Sequence, residues 1–567
     1  MPTVTVVGSG PAAEAVVAGV GDAGATVERD REDLDGADLG IVVDRSGADT
    51  FRAISDSARA AGVPWIAVEL GGIGGYPIVD AAVAAFGVEG ACYRCLAGRV
   101  EANVAPETDP VEAPGAATQR FAGAVAARLA GRHLEDGEDV FGQVIEAPYR
   151  ERSLLPLPGC ACGGGRDPEL GRKYDAVDVD RAVSRAEHAL DERVGIVTQV
   201  GEGESFPAPY YLAQLCDTGS FSDATAPRQA AGVAADWDRA LMRALGESLE
   251  RYAAGVYTAA DTERAPAEGV ENPVEPTAFV APESDYAPGD TVEWMAGEDL
   301  QTGGRASVPA DLVFHPPREE RFRPAVTTGL GLGSSGAGAL LSGLYEVIER
   351  DAAMLSWYST YEPLALAVED EGFETLAARA GAEGLSVTPL LLTQDVDVPV
   401  VAVAVERDEW PRLALGSAAN FDPQRAARKA LAEALQNWME LRSMGPEGAA
   451  DAGGAIGEYA ADPGPVADWV DADQRIPAES VGPDPAYAGE DALAALIDRL
   501  DEAGLAAYAA RTTTRDLEAL GFEAVRVLVP EAQPLFLDDP FFGERADRVP
   551  RDLGFEPRPD RAFHPFP

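Results

Sequence analysis

The feature that most constrains this chain is a set of acidic side chains set at helical spacing into otherwise apolar stretches. Residues 247–252 read Glu-Ser-Leu-Glu-Arg-Tyr, residues 346–351 read Glu-Val-Ile-Glu-Arg-Asp, and residues 433–436 read Glu-Ala-Leu-Gln. Positions i, i+3 and i+4 of a helix share a face, so Glu247, Glu250 and Arg251 project together, as do Glu346, Glu349 and Arg350. One Glu-x-x-Glu-Arg on an exposed helix is commonplace. Residues 340–357, however, are apolar nearly all round, which predicts a buried helix. Buried carboxylates are costly unless paired or metal-bound. Two copies followed by Glu433-x-x-Gln436 therefore predict a site. Paired carboxylates beside arginine suit Mg²⁺ and phosphate, because hard cations take oxygen ligands and guanidinium binds phosphate bidentately.

Charge narrows the setting. Acidic residues number 96 against 45 basic, for a formal charge of −51 spread along the chain. Only Lys173 and Lys429 are lysines; the other basic residues are arginine. This is the surface of a protein kept soluble in high salt, where screening removes self-repulsion, and a halophilic, haloarchaeal-type source is expected. The same charge repels nucleic acid and anionic membrane, so neither is expected as a partner. No run of about 18 apolar residues suggests a transmembrane helix. The N-terminus, Met-Pro-Thr-Val-Thr-Val-Val, reads as a strand and not a signal peptide. A cytoplasmic location follows as an expectation.

Residues 1–150 predict an α/β domain. Val4-Thr-Val-Val-Gly-Ser-Gly-Pro-Ala-Ala is strand, glycine turn and helix, with Glu28 and Asp30 following. Leu39–Asp44, a helix around 48–61 and Pro64–Glu69 continue the alternation, which implies a parallel, Rossmann-like sheet. The Gly8-x-Gly10-x-x-Ala13 turn either cradles a pyrophosphate or is structural; Pro11 removes one donor from it.

Five cysteines are present. Cys92-Tyr-Arg-Cys95 is C-x-x-C, and Cys160-Ala-Cys162 sits within Pro158-Gly-Cys-Ala-Cys-Gly-Gly-Gly165. Four thiolates in two close pairs suit tetrahedral Zn²⁺, and such a closed site is structural, not catalytic. A redox pair at Cys92/Cys95 or two unrelated buried pairs are the alternatives. Cys216 reads as a buried core thiol. The histidines His133, His188, His315 and His564 show no metal spacing; His564, beside the terminal prolines, is the one candidate proton shuttle. Residues 443–488, rich in Gly, Ala, Pro and Asp, read as a solvated loop or insertion.

The region from about 190 onward resembles the YcaO family. Three stretches carry the resemblance: Trp237–Tyr252; Thr327-Thr-Gly-Leu-Gly-Leu-Gly-Ser with Leu344–Asp351; and Ala418-Ala-Asn-Phe-Asp-Pro with Ala430–Gln436. The ending His564-Pro565-Phe566-Pro567 is similar to the proline-rich terminus of peptide-modifying members. Residues 64–75 and Cys92-Tyr-Arg-Cys-Leu-Ala-Gly-Arg resemble the ThiF-like partner of azoline-forming cyclodehydratases, which precedes the YcaO domain in fused forms. The resemblance implies a ThiF-like domain over 1–150, a zinc-bearing connection over 151–190 and a larger α+β YcaO domain over 191–567.

The activity implied is ATP- and Mg²⁺-dependent activation of a peptide amide, cyclising Cys, Ser or Thr to an azoline. Glu247, Glu250, Glu346 and Glu349 would hold Mg²⁺, and Glu433 and Gln436 would complete the ATP site. Arg350 and Arg251 would steady phosphate, while Pro565 and Pro567 would order the chain end against the site. Thioamide formation with an external sulfur donor and a non-catalytic zinc-bearing scaffold are the alternative readings. The chain departs from the family in four respects. The usual Gly-Lys-Gly is Gly232-Val233-Ala234, leaving Arg228 or Arg243 to supply the lost charge; Arg243 itself stands where a serine is common. Phe563 replaces the first proline of the terminal motif. The small leader-gripping module of fused members is not recognised, so a separate leader-recognition protein is expected, besides the peptide substrate and a homodimeric partner.

Overall fold

The computed structural model describes all residues except 30–32, 105–113, 284, 288, 453–454 and 567. Asp30 and Pro567 thus lie outside the described residues. The chain divides into two compact units. Unit 1 comprises Met1–Gly165, His188–Gln199 and Leu215–Ser222; unit 2 comprises Arg166–Glu187, Val200–Gln214 and Asp223–Pro567. No helix among the described residues is long and apolar enough to cross a membrane.

Unit 1 begins β1 (Thr3–Val7), α1 (Pro11–Asp22), β2 (Thr26–Glu28), β3 (Leu39–Arg45), α2 (Asp49–Ala61) and β4 (Trp65–Leu70). It continues β5 (Ala81–Phe86), α3 (Tyr93–Asn103), α4 (Ala116–Asp136), β6 (Gln143–Glu146) and β7 (Arg150–Ser153). The sheet order is β2-β1-β3-β4-β5-β6-β7. The β2-β1-β3-β4 pairings are parallel and those from β4 to β7 antiparallel. Both faces of the sheet are buried, so alternate strand residues serve two cores. Ile41, Val43, Ile66 and Val68 join the layer of α1 and α4, whereas Val42 and Ala67 meet Phe51 and Ile54 of α2 and Tyr93 and Leu96 of α3. At the end of β1, Gly8 has φ 116°, and a Cβ there would lie 2.2 Å from the Val43 carbonyl oxygen. That is a steric reason for glycine which calls for no nucleotide.

After α5 (Val179–Glu187) and β8 (Val197–Glu204), the chain enters β9 (Tyr210–Leu215), β10 (Gln229–Val233) and α6 (Trp237–Gly255). There follow β11 (Glu263–Ala265), β12 (Val292–Asp299), β13 (Arg305–Pro309), α7 (Ala310–Val313), β14 (Leu330–Gly333) and α8 (Gly336–Trp357). Next come β15 (Leu364–Ala367), α9 (Glu371–Ala382), β16 (Ser386–Leu391), β17 (Val400–Glu406), β18 (Leu413–Ala419) and α10 (Pro423–Ala452). The last elements are α11 (Ala455–Ala461), α12 (Pro465–Val470), β19 (Arg475–Pro477), α13 (Gly489–Glu502), β20 (Tyr508–Arg511), α14 (Arg515–Leu520), β21 (Glu523–Leu528) and α15 (Arg545–Asp552). One sheet runs β11-β12-β20-β21-β14 and another β18-β17-β16-β15-β19. Strand β17 shows how the second is buried on both faces: Val400, Ala402 and Ala404 join the core around α8, and Val401, Val403 and Val405 join the core under α10.

Residues 443–488 are not the solvated loop their composition suggests. Helix α10 continues to Ala452 through a kink at Gly445 (φ 73°), and α11 and α12 follow. Tyr459, Val466, Trp469 and Val470 are buried in the main core, and Trp469 meets Trp357 edge-on at 5.4 Å. A few apolar residues at helical spacing outweigh the Gly, Ala and Asp around them.

Arg545 on α15 ties this unit together. It grips Asp351 through Nε (3.2 Å) and Nη2 (2.6 Å), and Asp395 through Nη1 (2.9 Å) and Nη2 (2.8 Å). Its side chain is 2% exposed and that of Asp351 is 4% exposed. Removing one member of such a buried group strands the other charges, at about 3–5 kcal/mol. Arg545→Met should lower stability by that amount in urea titration, whereas Arg548→Met, on the exposed face of the same helix, should change it by less than about 0.5 kcal/mol.

Candidate active site

The three acidic motifs fall on α6, α8 and α10, and all of them line one cavity of about 680 Å³ in unit 2. Glu247, Glu250, Glu346, Glu349, Glu433 and Gln436 share its wall with Arg243, Arg251, Arg350 and Lys429.

The three helices present their leading glutamates in the same way. Glu247 accepts the Ala231 N–H at 3.0 Å, Glu346 the Gly329 N–H at 3.1 Å, and Glu433 the Ser417 N–H at 3.4 Å. Each donor belongs to the strand, or the turn into the strand, just before the helix. The sequence separations are 16, 17 and 16. Glycine permits the close strand–helix approach in at least two of the three. A Cβ on Gly232 would fall 2.2 Å from the Ala244 nitrogen, and one on Gly416 2.4 Å from the Ala430 oxygen. The site is thus a repeated device in which a strand backbone aims the first glutamate of the next helix.

Further contacts fix the remaining groups. Ser417 Oγ donates to Glu349 Oε1 at 2.7 Å. Arg350 lies 3.9 Å from both Glu349 and Glu433. Arg251 is held by Glu247 on its own helix and by the Gln229 carbonyl at 3.1 Å. The carboxyls are strained electrostatically. Burial, then the charges of Glu346 and Glu247, pushes Glu250 up to about 8. Burial, then Glu349, pushes Glu433 up to about 7. Burial also raises Glu247 and Glu346. Like charges crowded in a poorly solvated cleft favour protonation or a bound cation, and carboxylate oxygens are the donors that Mg²⁺ takes.

Sequence reading missed Lys429. Its signal was present: one of two lysines in the chain stands four residues before Glu433. Arg243 sits beside the position that lacks the expected lysine and donates to the Val233 carbonyl at 2.6 Å. Burial lowers its pKa to about 10.

Among the described residues, none of the C-terminal tail lines this cavity. Pro565 is buried but does not line the cavity. His564 is 2% exposed, its Nε2 lies 2.7 Å from the Phe536 carbonyl, and burial lowers its pKa to about 4. Trp357 Nε1 donates to the Ala562 carbonyl at 2.8 Å, and Phe566 packs on Trp469 at 5.9 Å. This anchors the tail to the C-terminal end of α8.

In unit 1 the cysteines meet. Their sulfurs all lie within 4.8 Å of one another, with Cys92–Cys95 at 3.8 Å, Cys92–Cys160 at 3.7 Å and Cys95–Cys162 at 3.5 Å. Disulfides need about 2.05 Å. A tetrahedron of sulfurs at about 2.3 Å from zinc has edges near 3.8 Å, so the donor set fits Zn²⁺. Arg59 bonds the Cys162 carbonyl at 2.9 Å and the Gly90 carbonyl at 3.1 Å, fastening the glycine-rich arm to the cluster. Cys216 is fully buried.

The family model for YcaO cyclodehydratase, ATP- and Mg²⁺-binding, matches residues 231–533, and the chain belongs to this family. An uncharacterized protein of Methanothermobacter thermautotrophicus is 33% identical over 226 residues, covering 36% of this chain and 56% of that protein. The chain therefore spans about half the length of this curated relative. A heterocyclase solved in complex with substrate and cofactor is similar at TM-score 0.73 and 19% identity, covering 98% of this chain and 83% of that one. YcaO from Methanopyrus kandleri, bound with AMPPCP and Mg²⁺, is similar at TM-score 0.52 and 24% identity, covering 64% and 93%. These likenesses establish a mixed α/β chain with the YcaO heterocyclase fold.

Proposed function

We propose that the protein is an ATP- and Mg²⁺-dependent enzyme that activates a backbone amide of a ribosomal peptide and cyclises a Cys, Ser or Thr side chain onto it. The observation that carries this reading is the cavity where three backbone-anchored glutamate helices converge. In it, Glu247, Glu250, Glu346 and Glu349 hold Mg²⁺, while Glu433, Gln436 and Lys429 complete the nucleotide site. Bound Mg²⁺ would offset the phosphate charge and orient the γ-phosphoryl group. The residues do the positioning. Backbone N–H groups fix the leading glutamates, Ser417 fixes Glu349, and Arg350 presents its charge where charge develops on the amide oxygen as it becomes phosphorylated. The nucleophilic side chain belongs to the peptide, and the amide oxygen departs as phosphate.

Unit 1 is read as the ThiF-like, Rossmann-type partner, supported by the parallel β2-β1-β3-β4 half of its sheet and by a Cys92, Cys95, Cys160, Cys162 cluster suited to structural Zn²⁺. Arg243 takes over part of the phosphate-facing charge absent at Val233.

The test is incubation with a Cys-, Ser- or Thr-containing peptide encoded beside the gene, with Mg²⁺ and ATP in concentrated KCl, followed by mass spectrometry. Loss of one water per modified residue without added sulfur supports cyclisation. Oxygen-to-sulfur exchange that requires sulfide replaces it with thioamidation.

A further inference from the structure

The polar face of α10 does not end at Gln436. Glu440 lies one helical turn further along it. Glu440 is not part of the cavity wall, yet it stands close behind the site: burial, and then the charge of Glu440, raises the Glu247 carboxyl against the pull of Arg251. Two donors converge on one of its oxygens. The Tyr210 hydroxyl donates to Glu440 Oε1 at 2.9 Å, and Gln436 Nε2 donates to the same oxygen at 3.0 Å. Tyr210 belongs to β9, where it pairs with Val233 of β10, and it is 7% exposed. A chain of three side chains thus runs from β9 to the cavity wall.

A carboxylate only accepts hydrogen bonds, so the end of the Gln436 amide that faces Glu440 is its NH₂. The carbonyl oxygen is the other end, and it accepts no hydrogen bond among the described residues. Gln436 lines the cavity together with Glu433, one turn earlier on α10. The neighbouring amide is set in the same way: Asn437 also lines the cavity, and its Nδ2 donates to the Leu415 carbonyl at 2.7 Å. An amide whose NH₂ is held by a carboxylate is polarised, with more negative charge on its oxygen.

We propose that Glu440 and Tyr210 are positioning residues, which hold Gln436 with its carbonyl oxygen toward the cation of the glutamate site. The inference rests on the Mg²⁺–nucleotide reading above and deepens it. An amide free to rotate would present N–H as readily as oxygen, and N–H repels a cation. Held by Glu440, Gln436 adds a neutral oxygen to the donor set. It does so without adding charge to a cluster whose carboxyls already repel one another. Glu440 acts through Gln436 and does not itself reach the cavity.

The test is calorimetric titration of the full-length protein with ATP at a series of Mg²⁺ concentrations, which yields the Mg²⁺ affinity of each variant. Partners that orient metal ligands are worth about 10–100-fold in affinity, and Glu440→Met should cost that much. Glu440→Gln carries no charge but keeps an acceptor oxygen, so it should recover most of the loss. Tyr210→Phe removes one of the two donors together with its need for a partner; it should fold and show a smaller loss in the same direction. In a Gln436→Leu background, Glu440→Met should cost nothing further. If Glu440→Met does not fold, the loss in Tyr210→Phe decides. Glu440→Gln as weak as Glu440→Met would make the role one of charge alone and overturn the proposal, as would additive losses in the double variant. A wild type that binds no Mg²⁺ with ATP overturns the nucleotide reading and this proposal together, whereas a binding wild type matched by its Glu440→Met variant overturns this proposal alone.

Discussion

Glu250→Gln should abolish Mg²⁺-dependent nucleotide binding while stabilising the ligand-free protein. The side chain lies at the centre of the acidic cluster, and burial with the charges of Glu346 and Glu247 raises its pKa to about 8. A carboxyl whose folded pKa lies above its unfolded value binds a proton more tightly when folded. Its contribution therefore favours the native state at low pH. That contribution is lost as pH rises from about 4.5 through 8, at about 1.4 kcal/mol per unit. Glutamine carries no charge and avoids this loss. The variant's advantage in ligand-free stability should thus grow from pH 5 to pH 8 and then level off, reaching a few kcal/mol, or about 3 °C or more in melting temperature. With Mg²⁺ and ATP the order should reverse, because only the wild type retains the full oxygen set. Outer-sphere partners of metal ligands are worth about 10–100-fold in affinity, so loss of a ligand itself should cost about 100-fold or more. Thermal denaturation at several pH values, with and without Mg-ATP, reads both effects. Equal melting temperatures under every condition would remove Glu250 from the site.

Removal of metal from the cysteine cluster should unfold unit 1 at a lower temperature. Zinc bound by four thiolates contributes about 10–16 kcal/mol in small domains, and much of that becomes folding free energy. The structure shows why the effect should be large. Cys92 and Cys95 lie around the start of α3, whereas Cys160 and Cys162 lie on the arm after β7, so an ion held there would join segments far apart in sequence. Without a cation the sulfurs cannot all be thiolates. Their hydrogen bonds to one another and burial hold Cys95 and Cys160 well above the usual thiol range, whereas a hydrogen bond from Cys160 brings Cys92 down to about 7. Purified protein should carry one zinc per chain by elemental analysis. Cys95→Ser, or extraction with a strong chelator, should lower the first melting transition by about 10 °C or more. A metal-free protein that melts unchanged would make the cluster a reduced thiol pair of pairs.

The acidic helices were legible because their signal is local. Spacing of three and four residues places Glu247 with Glu250 and Glu346 with Glu349 whatever surrounds them, and apolar neighbours predict burial of α8. That α6, α8 and α10 face one cavity is tertiary information. So is the repeated strand-to-glutamate hydrogen bond, which links residues 16 or 17 apart. The C-x-x-C and C-x-C pairs were likewise readable one by one, and only the fold brings them within 4.8 Å. The misread segment, 443–488, failed for the converse reason. Its composition is loop-like, and the few residues that matter, Val466, Trp469 and Val470, gain their meaning from Trp357 on another helix. Histidine 564 beside the prolines suggested catalysis. The structure instead buries the ring among Phe536, Phe563 and Phe566.

The most direct test of the amide-activating account is calorimetric titration of zinc-loaded protein with ATP in molar KCl, with and without Mg²⁺, beside Glu346→Ala. The account predicts Mg²⁺-dependent binding by the wild type and none by the variant, both proteins remaining folded. A folded, zinc-loaded wild type that binds no ATP would contradict it and leave a zinc-bearing scaffold that keeps the family's architecture without its chemistry.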